Sequence, residues 1–394
     1  MNSRARTTLM IAVAAQAAVS VLNYGLPAIA VELRQELDIG PAGFGAVFAA
    51  LGLGTAVALL PTGMLVDRFG PRPVLAAGSL LALAGYAVAA MTTDPVVFSV
   101  FAFFAGMGTA AVPVAGISAL LREFPPERRG MALGWRQLGV PLGGTIGAVA
   151  LPLLAHVGGV SLALITSASV TAATALWFAW LTPGGGGESR SLRLDGTLTA
   201  PGMRRLLLLG ALYVFALGAA LTYLPSAARD AGLGKAEASL LFVLLTVSAA
   251  ASRVLWGRIA DRGGGTRRMR TLADTGLLAA GAALAMPLAL HAGLAAASVA
   301  VLLMGFGAFG FNGVLYVAAG ELVGPERAGR AVGIASTMVF GVGSLASPVA
   351  GLVVENAGYD AMWLVGAATS AAGALVALRG TRRWRREVPT PLPD

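Results

Sequence analysis

The chain has 394 residues, of which 57% are hydrophobic and 12% charged, about half the charged share of a soluble domain. It carries a net charge of +9 and no cysteine, which excludes disulfides, thiolate metal sites and a cysteine nucleophile. Such a composition describes an all-α polytopic membrane protein.

A helix needs about 20 apolar residues to cross a bilayer. Twelve stretches suffice: 7–31, 43–66, 73–92, 96–121, 130–156, 159–181, 204–227, 236–260, 270–291, 294–321, 329–354 and 359–379. The first follows Arg4 and Arg6, but it runs through Gln16, Asn23, Tyr24 and Pro27. That is longer than the apolar region of a secretory signal, so it counts as a span. The second span closes on Gly63-Met64-Leu65-Val66-Asp67-Arg68-Phe69-Gly70-Pro71-Arg72. There a glycine stands four residues before an Asp-Arg pair, and Gly70 then breaks the helix on a basic turn.

In the fifth span Gly139, Gly143 and Gly147 recur at i+4, a smooth stripe that lets another backbone approach closely. Pro141 and Gly144 add a bend beside it. After the sixth span, Pro183-Gly184-Gly185-Gly186-Gly187-Glu188-Ser189-Arg190 opens a flexible linker. It divides the chain into a first six-helix bundle (1–182), a linker (183–202), a second six-helix bundle (203–380) and a basic tail (381–394).

The second half repeats the first. Gly257-Arg258-Ile259-Ala260-Asp261-Arg262 echoes the signature with its aspartate 194 residues on. Tyr223-Leu224-Pro225 echoes Tyr24-Gly25-Leu26-Pro27, and Pro325-Glu326-Arg327 echoes Pro126-Glu127-Arg128, both 199 residues on. Two bundles related by a pseudo-two-fold axis are expected. All but five of the 28 basic residues fall at one membrane face when the N-terminus is inside. Arg34, Arg229 and Lys235 lie at the other, and Arg136 and Arg253 lie within spans. This positive-inside bias orients both termini to the cytoplasm, in a cytoplasmic (inner) membrane. It assigns the basicity to orientation and anionic lipid, not nucleic acid.

Hydrocarbon makes buried polar groups costly, so those placed deep are candidates for function. They are Gln16, Arg136, Gln137, Arg253 and Asn312, with Asn23, Tyr24, Tyr213, Tyr223 and Tyr316 beside them. Every carboxylate falls at a span end or in a loop. Two deep arginines without a deep carboxylate leave a positive site suited to an anion, and guanidinium matches a carboxylate with two parallel hydrogen bonds. No nucleophile-base pair, metal cluster or phosphate loop is present, and no cofactor is expected.

The paired Gly-x-x-x-Asp-Arg loops, with Arg68 and Arg72 following in the first copy and Arg262 in the second, resemble the signature of the major facilitator superfamily of secondary transporters. Pro71 replaces one basic residue of that signature, and three glycines lengthen the second copy. The resemblance implies twelve helices, a small-molecule substrate held between the bundles of a monomer, alternating access and a coupling proton or counter-ion. It also implies that Asp67, Arg68, Arg72, Asp261 and Arg262 latch the inner gate. Arg253-Val254-Leu255-Trp256-Gly257 is similar to the eighth helix of oxalate- and monocarboxylate-type porters. Trp135-Arg136-Gln137-Leu138-Gly139 is similar to the fifth helix of cyanate- and nitroimidazole-type porters. Val140-Pro141-Leu142-Gly143-Gly144 resembles an antiporter element, but Ala102 stands where proton-coupled drug antiporters of the superfamily carry an arginine. Export of hydrophobic drugs is therefore the alternative reading, and a membrane enzyme or scramblase is the alternative from another class.

Overall fold

The computed structural model describes residues 3–124, 132, 135–136, 138–182, 202–261, 264–323 and 328–387. Outside that set lie Gln137, Arg262, the Pro-Glu-Arg segments of both halves, nearly all of the expected linker, the end of the basic tail, and the side chains of Asp67 and Asp261.

Every regular element among the described residues is helical. In chain order they are α1 (Ser3–Gly25), a 3-10 turn (Leu26–Ile29), α2 (Ala30–Leu37), α3 (Pro41–Phe69), α4 (Pro71–Ala89), α5 (Pro95–Thr109), α6 (Ala111–Glu123), α7 (Gly139–Leu181), α8 (Met203–Asp230), α9 (Lys235–Asp261), α10 (Gly264–His291), α11 (Leu294–Val323) and α12 (Ala328–Glu387). Among the described residues, ten segments are long and apolar enough to cross a membrane. Large apolar side chains such as Leu153, Trp180 and Leu288 lie open on their outer faces, as lipid-facing positions do.

Local chemistry sets the helix ends. Proline opens α3, α4 and α5, where its missing N–H costs nothing. The Asp94 carboxylate caps α5, accepting from the backbone N–H of Val96 at 2.8 Å and of Val97 at 2.9 Å. The signature turn between α3 and α4 is a single residue, Gly70, at φ +84°. The first expected span runs further than its apolar stretch suggests, because Leu26-Pro27-Ala28-Ile29 tightens to a 3-10 turn and helix resumes to Leu37. The fourth is interrupted at Ala110, between α5 and α6.

Two helices turn sharply inside. In α7 the backbone leaves helical geometry at Gly158 and at Gly159 (φ +74°, ψ 178°), and in α12 at Gly358 (φ +80°, ψ 174°). Gly159 and Gly358 stand one repeat apart, at the spacing of 199 residues seen in the sequence, and share one backbone conformation that is essentially closed to other residues.

Contacts divide the chain into two compact units, Met1–Ser191 and Leu192–Asp394. In the first, α1 packs along α7 at backbone distance. A Cβ added at Gly139 would lie 2.7 Å from the Val13 carbonyl oxygen, and one at Gly147 2.6 Å from that of Val21. Between them Gly143 meets the Ala17 carbonyl, so the i+4 glycines of one helix lie on the i+4 carbonyls of the other. Gly25 and Gly147 touch at their Cα atoms, a Cβ on Gly25 falling 2.7 Å from Cα of Gly147.

The second unit is organised around Tyr213 of α8. Its ring fills the space left by Gly276 of α10 and Gly373 of α12 and stands edge-on to Phe311 of α11 at 5.2 Å. Its hydroxyl donates to the Leu272 carbonyl at 2.7 Å. One tyrosine thus joins four helices, and its phenol is committed to structure.

Nothing lies within 4 Å of a Cβ built at Gly159 or Gly358, so alanine there strains the backbone alone. Each of Gly159→Ala and Gly358→Ala should cost about 1–3 kcal/mol and lower the apparent unfolding temperature of the purified protein in detergent. Unchanged unfolding in both variants would contradict the left-handed turns.

Candidate functional site

The polar centre of the first unit forms where α1, α6 and α7 meet the short helical stretch at Trp135 and Arg136. Arg136 is only 1% exposed, among the largest fully buried side chains. Its Nη2 donates to Oε1 of Gln16 and, at 3.4 Å, to the Val112 carbonyl. Gln16 is oriented from its other end. Its Nε2 donates to Oγ of Ser20 at 3.3 Å, and that hydroxyl donates to the Gln16 carbonyl at 2.8 Å. The amide therefore presents its oxygen to the guanidinium.

Glycines make the room. A Cβ at Gly116 would lie 3.1 Å from Arg136 Nε and 3.3 Å from the Phe178 ring. A Cβ at Gly139 would lie 2.8 Å from Cβ of Gln16, and Gly143 lies against Ser20. The glycine stripe that seats α1 on α7 thus also brings Gln16 to Arg136. Pro141 is half-buried and Gly144 buried in the same stretch of α7.

Gln16, Ser20, Asn23 and Tyr24 are spaced to share one face of α1. Further along it, Oδ1 of Asn23 accepts from the Tyr86 hydroxyl of α4 at 3.5 Å. Asn23 and Tyr24 are half-buried, whereas Tyr86 is buried.

The remaining candidates lie elsewhere. Arg253 is half-buried on α9 of the second unit and so belongs to a different unit from Arg136. Asn312 is half-buried on α11, its Oδ1 buried with no hydrogen bond from the described residues. Tyr223 is turned to structure. Its hydroxyl donates to the Ser347 carbonyl at 2.9 Å, beside a Thr222–Ser347 hydroxyl contact of 2.8 Å. Tyr316 packs on the core of the second unit. Of the signature residues, Arg68 and Arg72 are exposed, and the Arg68 guanidinium lies 5.0 Å over the Phe69 ring. In the second copy Arg268 of α10 pairs with Glu321 of α11, and Trp256 Nε1 donates to the Phe306 carbonyl at 2.9 Å.

Sequence reasoning missed Ser20, Gly116 and Tyr86. Ser20 was detectable as the hydroxyl one turn after Gln16. Gly116 and Tyr86 carry no signal apart from the neighbours that tertiary structure gives them.

Arg136 and Gln16 lie inside an apolar helical unit, and the long helices with open apolar faces define a multi-pass membrane protein. Residues 9–348 match the family pattern of the Major Facilitator Superfamily, and the chain belongs to that superfamily. It is a transporter, not an enzyme. An uncharacterised MFS-type transporter of Mycobacterium tuberculosis is 31% identical over 338 residues, 83% of this chain and 74% of that one. A gentisate transporter of Corynebacterium glutamicum is 41% identical over 110 residues, 27% of this chain and 23% of that one. Among solved structures, a bacterial homolog of the human lysosomal transporter Spinster superposes with a TM-score of 0.85 at 15% identity, covering 100% of both chains. This likeness shows the fold.

The Arg136–Gln16 contact is testable as an energetic pair. A hydrogen bond to a charged group contributes about 1.5–3 kcal/mol. Gln16→Leu should therefore destabilise the protein by an amount of that order, and in a cycle with Arg136→Leu the two losses should not add. Additive losses in detergent unfolding would deny the contact.

Proposed function

We propose that this chain carries a small anion across a bilayer by alternating access, and that Arg136 is its principal ligand. The single observation behind this reading is a guanidinium 1% exposed inside a membrane-spanning unit, seated on the neutral amide of Gln16. A carboxylate or sulfonate brings an opposite charge and two acceptor oxygens to the guanidinium, where the Gln16 amide brings one neutral oxygen. A carboxylate or sulfonate can thus displace Gln16 from Arg136 and satisfy the guanidinium with two oxygens. The gentisate transporter among the relatives supports an organic anion, and we take that class as the substrate. Arg253 serves as a second cationic group, and Gln137 and Asn312 supply hydrogen bonds.

In this reading α7 and α12 each cross twice. A straight helix of 43 residues would reach about 65 Å, twice the about 30 Å hydrocarbon core, and the left-handed glycines at 159 and 358 supply the turns. Twelve crossings in two related bundles follow, with both termini on the cytoplasmic side of the inner membrane.

Uptake of labelled aromatic and aliphatic carboxylates into proteoliposomes tests the substrate. Arg136→Lys keeps the charge but loses the paired geometry, so it should raise KM. Arg136→Gln should abolish saturable uptake, and Arg253→Gln should weaken it. If Arg136→Gln transports normally, or if only lipophilic cations stabilise the purified protein against heat, the chain is an exporter of hydrophobic compounds instead.

Orientation has its own test, because a chain without cysteine gives no background. Cysteines placed at Ser189 and Thr390 should resist an impermeant thiol reagent in intact cells, and one at Ala236 should react. Labelling at Ser189 in intact cells would reverse the topology.

A further inference from the structure

Hydroxyl groups of the second unit such as Ser252, Thr275 and Ser344 bond back to a carbonyl in the preceding turn of their own helix, each at 2.8 Å. Where α8 meets α12 the pattern changes. Oγ1 of Thr222 and Oγ of Ser347 meet across the two helices at 2.8 Å, and the Tyr223 hydroxyl donates to the Ser347 carbonyl at 2.9 Å. Gly218 permits this approach one turn earlier on α8, since a Cβ there would lie 3.1 Å from the Ala346 side chain and 3.6 Å from the Gly343 carbonyl oxygen. Ser226 follows Thr222 by one turn on the same face of α8, at about 5–6 Å between Cβ atoms, a spacing that a single ion can bridge. Ser226 is 4% exposed, and its Oγ is buried with no hydrogen bond from the described residues.

Two prolines add backbone acceptors at the same place. Pro225 stands inside α8 and Pro348 inside α12. Proline has no N–H to give to the carbonyl four residues earlier, so the carbonyls of Leu221 and Ser344 lose their ladder donors. Leu221 precedes Thr222, and Ser344 lies within one turn of Ser347, so both carbonyls belong to the turns that meet at the Thr222–Ser347 contact. The carboxylates next along these helices, Asp230 and Glu355, are exposed. One repeat length back, α7 carries Ala148 and Val149 in place of Ser347 and Pro348, so the arrangement belongs to the second unit.

Three hydroxyl and two carbonyl oxygens thus gather around one interhelical contact. A buried hydroxyl without a partner is costly, and a cation that takes up its lone pair removes that cost. Carbonyls released where membrane helices are broken hold sodium ions in this way. A divalent ion would call for carboxylates, and helices in contact at 2.8 Å leave room only for a small ion.

We propose that Thr222, Ser226 and Ser347, with the carbonyls of Leu221 and Ser344, form a sodium-ion site between α8 and α12. The ion ties two proline-containing helices together at a point that has no charge of its own. It is also the counter-ion that travels with the substrate, since one sodium ion and one monovalent anion together carry no net charge. The site stands on α8 and α12 alone, whereas the coupling rests on the anion reading of Arg136.

Thermal unfolding of the purified full chain in detergent, with sodium chloride replacing choline chloride at constant ionic strength, tests the site without any substrate. Sodium should raise the unfolding temperature saturably, and potassium chloride at the same concentration should not. Ser226→Ala removes a hydroxyl that has no hydrogen bond to lose, so its unfolding temperature in choline chloride should stay at the wild-type value or above it. Its half-saturating sodium concentration should rise about tenfold, as for the loss of one hydrogen bond to a charged group. Ser226→Ala combined with Thr222→Val should abolish the response. Equal stabilisation by sodium, potassium and choline, or an unchanged sodium response in both variants, would overturn the site and leave Ser226 to bound water. Coupling has a separate readout in proteoliposomes, where an inward sodium gradient should drive carboxylate uptake by the wild type and not by the double variant. Wild-type uptake indifferent to sodium would overturn the coupling, whereas no carboxylate uptake under any gradient would count against the anion reading.

Discussion

The first unit depends on the close approach of α1 to α7. Three glycines spaced one turn apart meet three carbonyls spaced one turn apart, and Gly25 meets Gly147 at the Cα atoms. Between helices in lipid there is no hydrophobic driving force, so contact of this kind must supply the attraction. It sets both the separation and the register of α1, and register decides that Gln16 is level with Arg136. A side chain at Gly143 would meet the Ala17 backbone, which cannot yield as a flexible side chain does, so packing and the polar centre cannot be separated.

Burying a guanidinium is costly unless its donors are satisfied, and the fold offsets part of that cost through Nη2 of Arg136, which donates to a Gln16 amide itself oriented by Ser20. The second unit does not repeat this chemistry. At the corresponding positions, 199 residues on, it has Phe215 for Gln16 and Ala335 for Arg136. Duplication preserved the glycine turns at 159 and 358 and the tyrosines at 24 and 223, while the ionic centre belongs to one copy.

The second unit spends its polar groups on cohesion. Tyr213 reaches Leu272, Tyr223 reaches Ser347 and Trp256 reaches Phe306, in each case by donating to a backbone carbonyl of another helix. The second unit also has close glycine contacts, such as Gly307 against the Ala279 backbone, and adds to them the rings of Tyr213 and Trp256, which fill glycine-lined gaps. The three side-chain bonds satisfy polar groups where water is excluded.

The apolar spans, the paired signature loops and the breaks at Gly70, Gly159 and Gly358 are local features, set by runs of side chains or by a backbone conformation only glycine adopts. The sequence by itself therefore determined the helical class, the repeat and the places where the chain turns. It also determined that Arg136 and Arg253 are polar groups within apolar spans, but not how deeply each is buried. Only tertiary structure separated them, burying one and leaving the other half-buried, because rotation about a helix axis is set by neighbours distant in sequence. Gln16 and Arg136 are 120 residues apart, and no local pattern records that they meet. Tyr223 looked like a ligand by depth, yet its hydroxyl is claimed by a carbonyl on α12. Depth follows from counting residues along a span, whereas partners follow from how the helices pack.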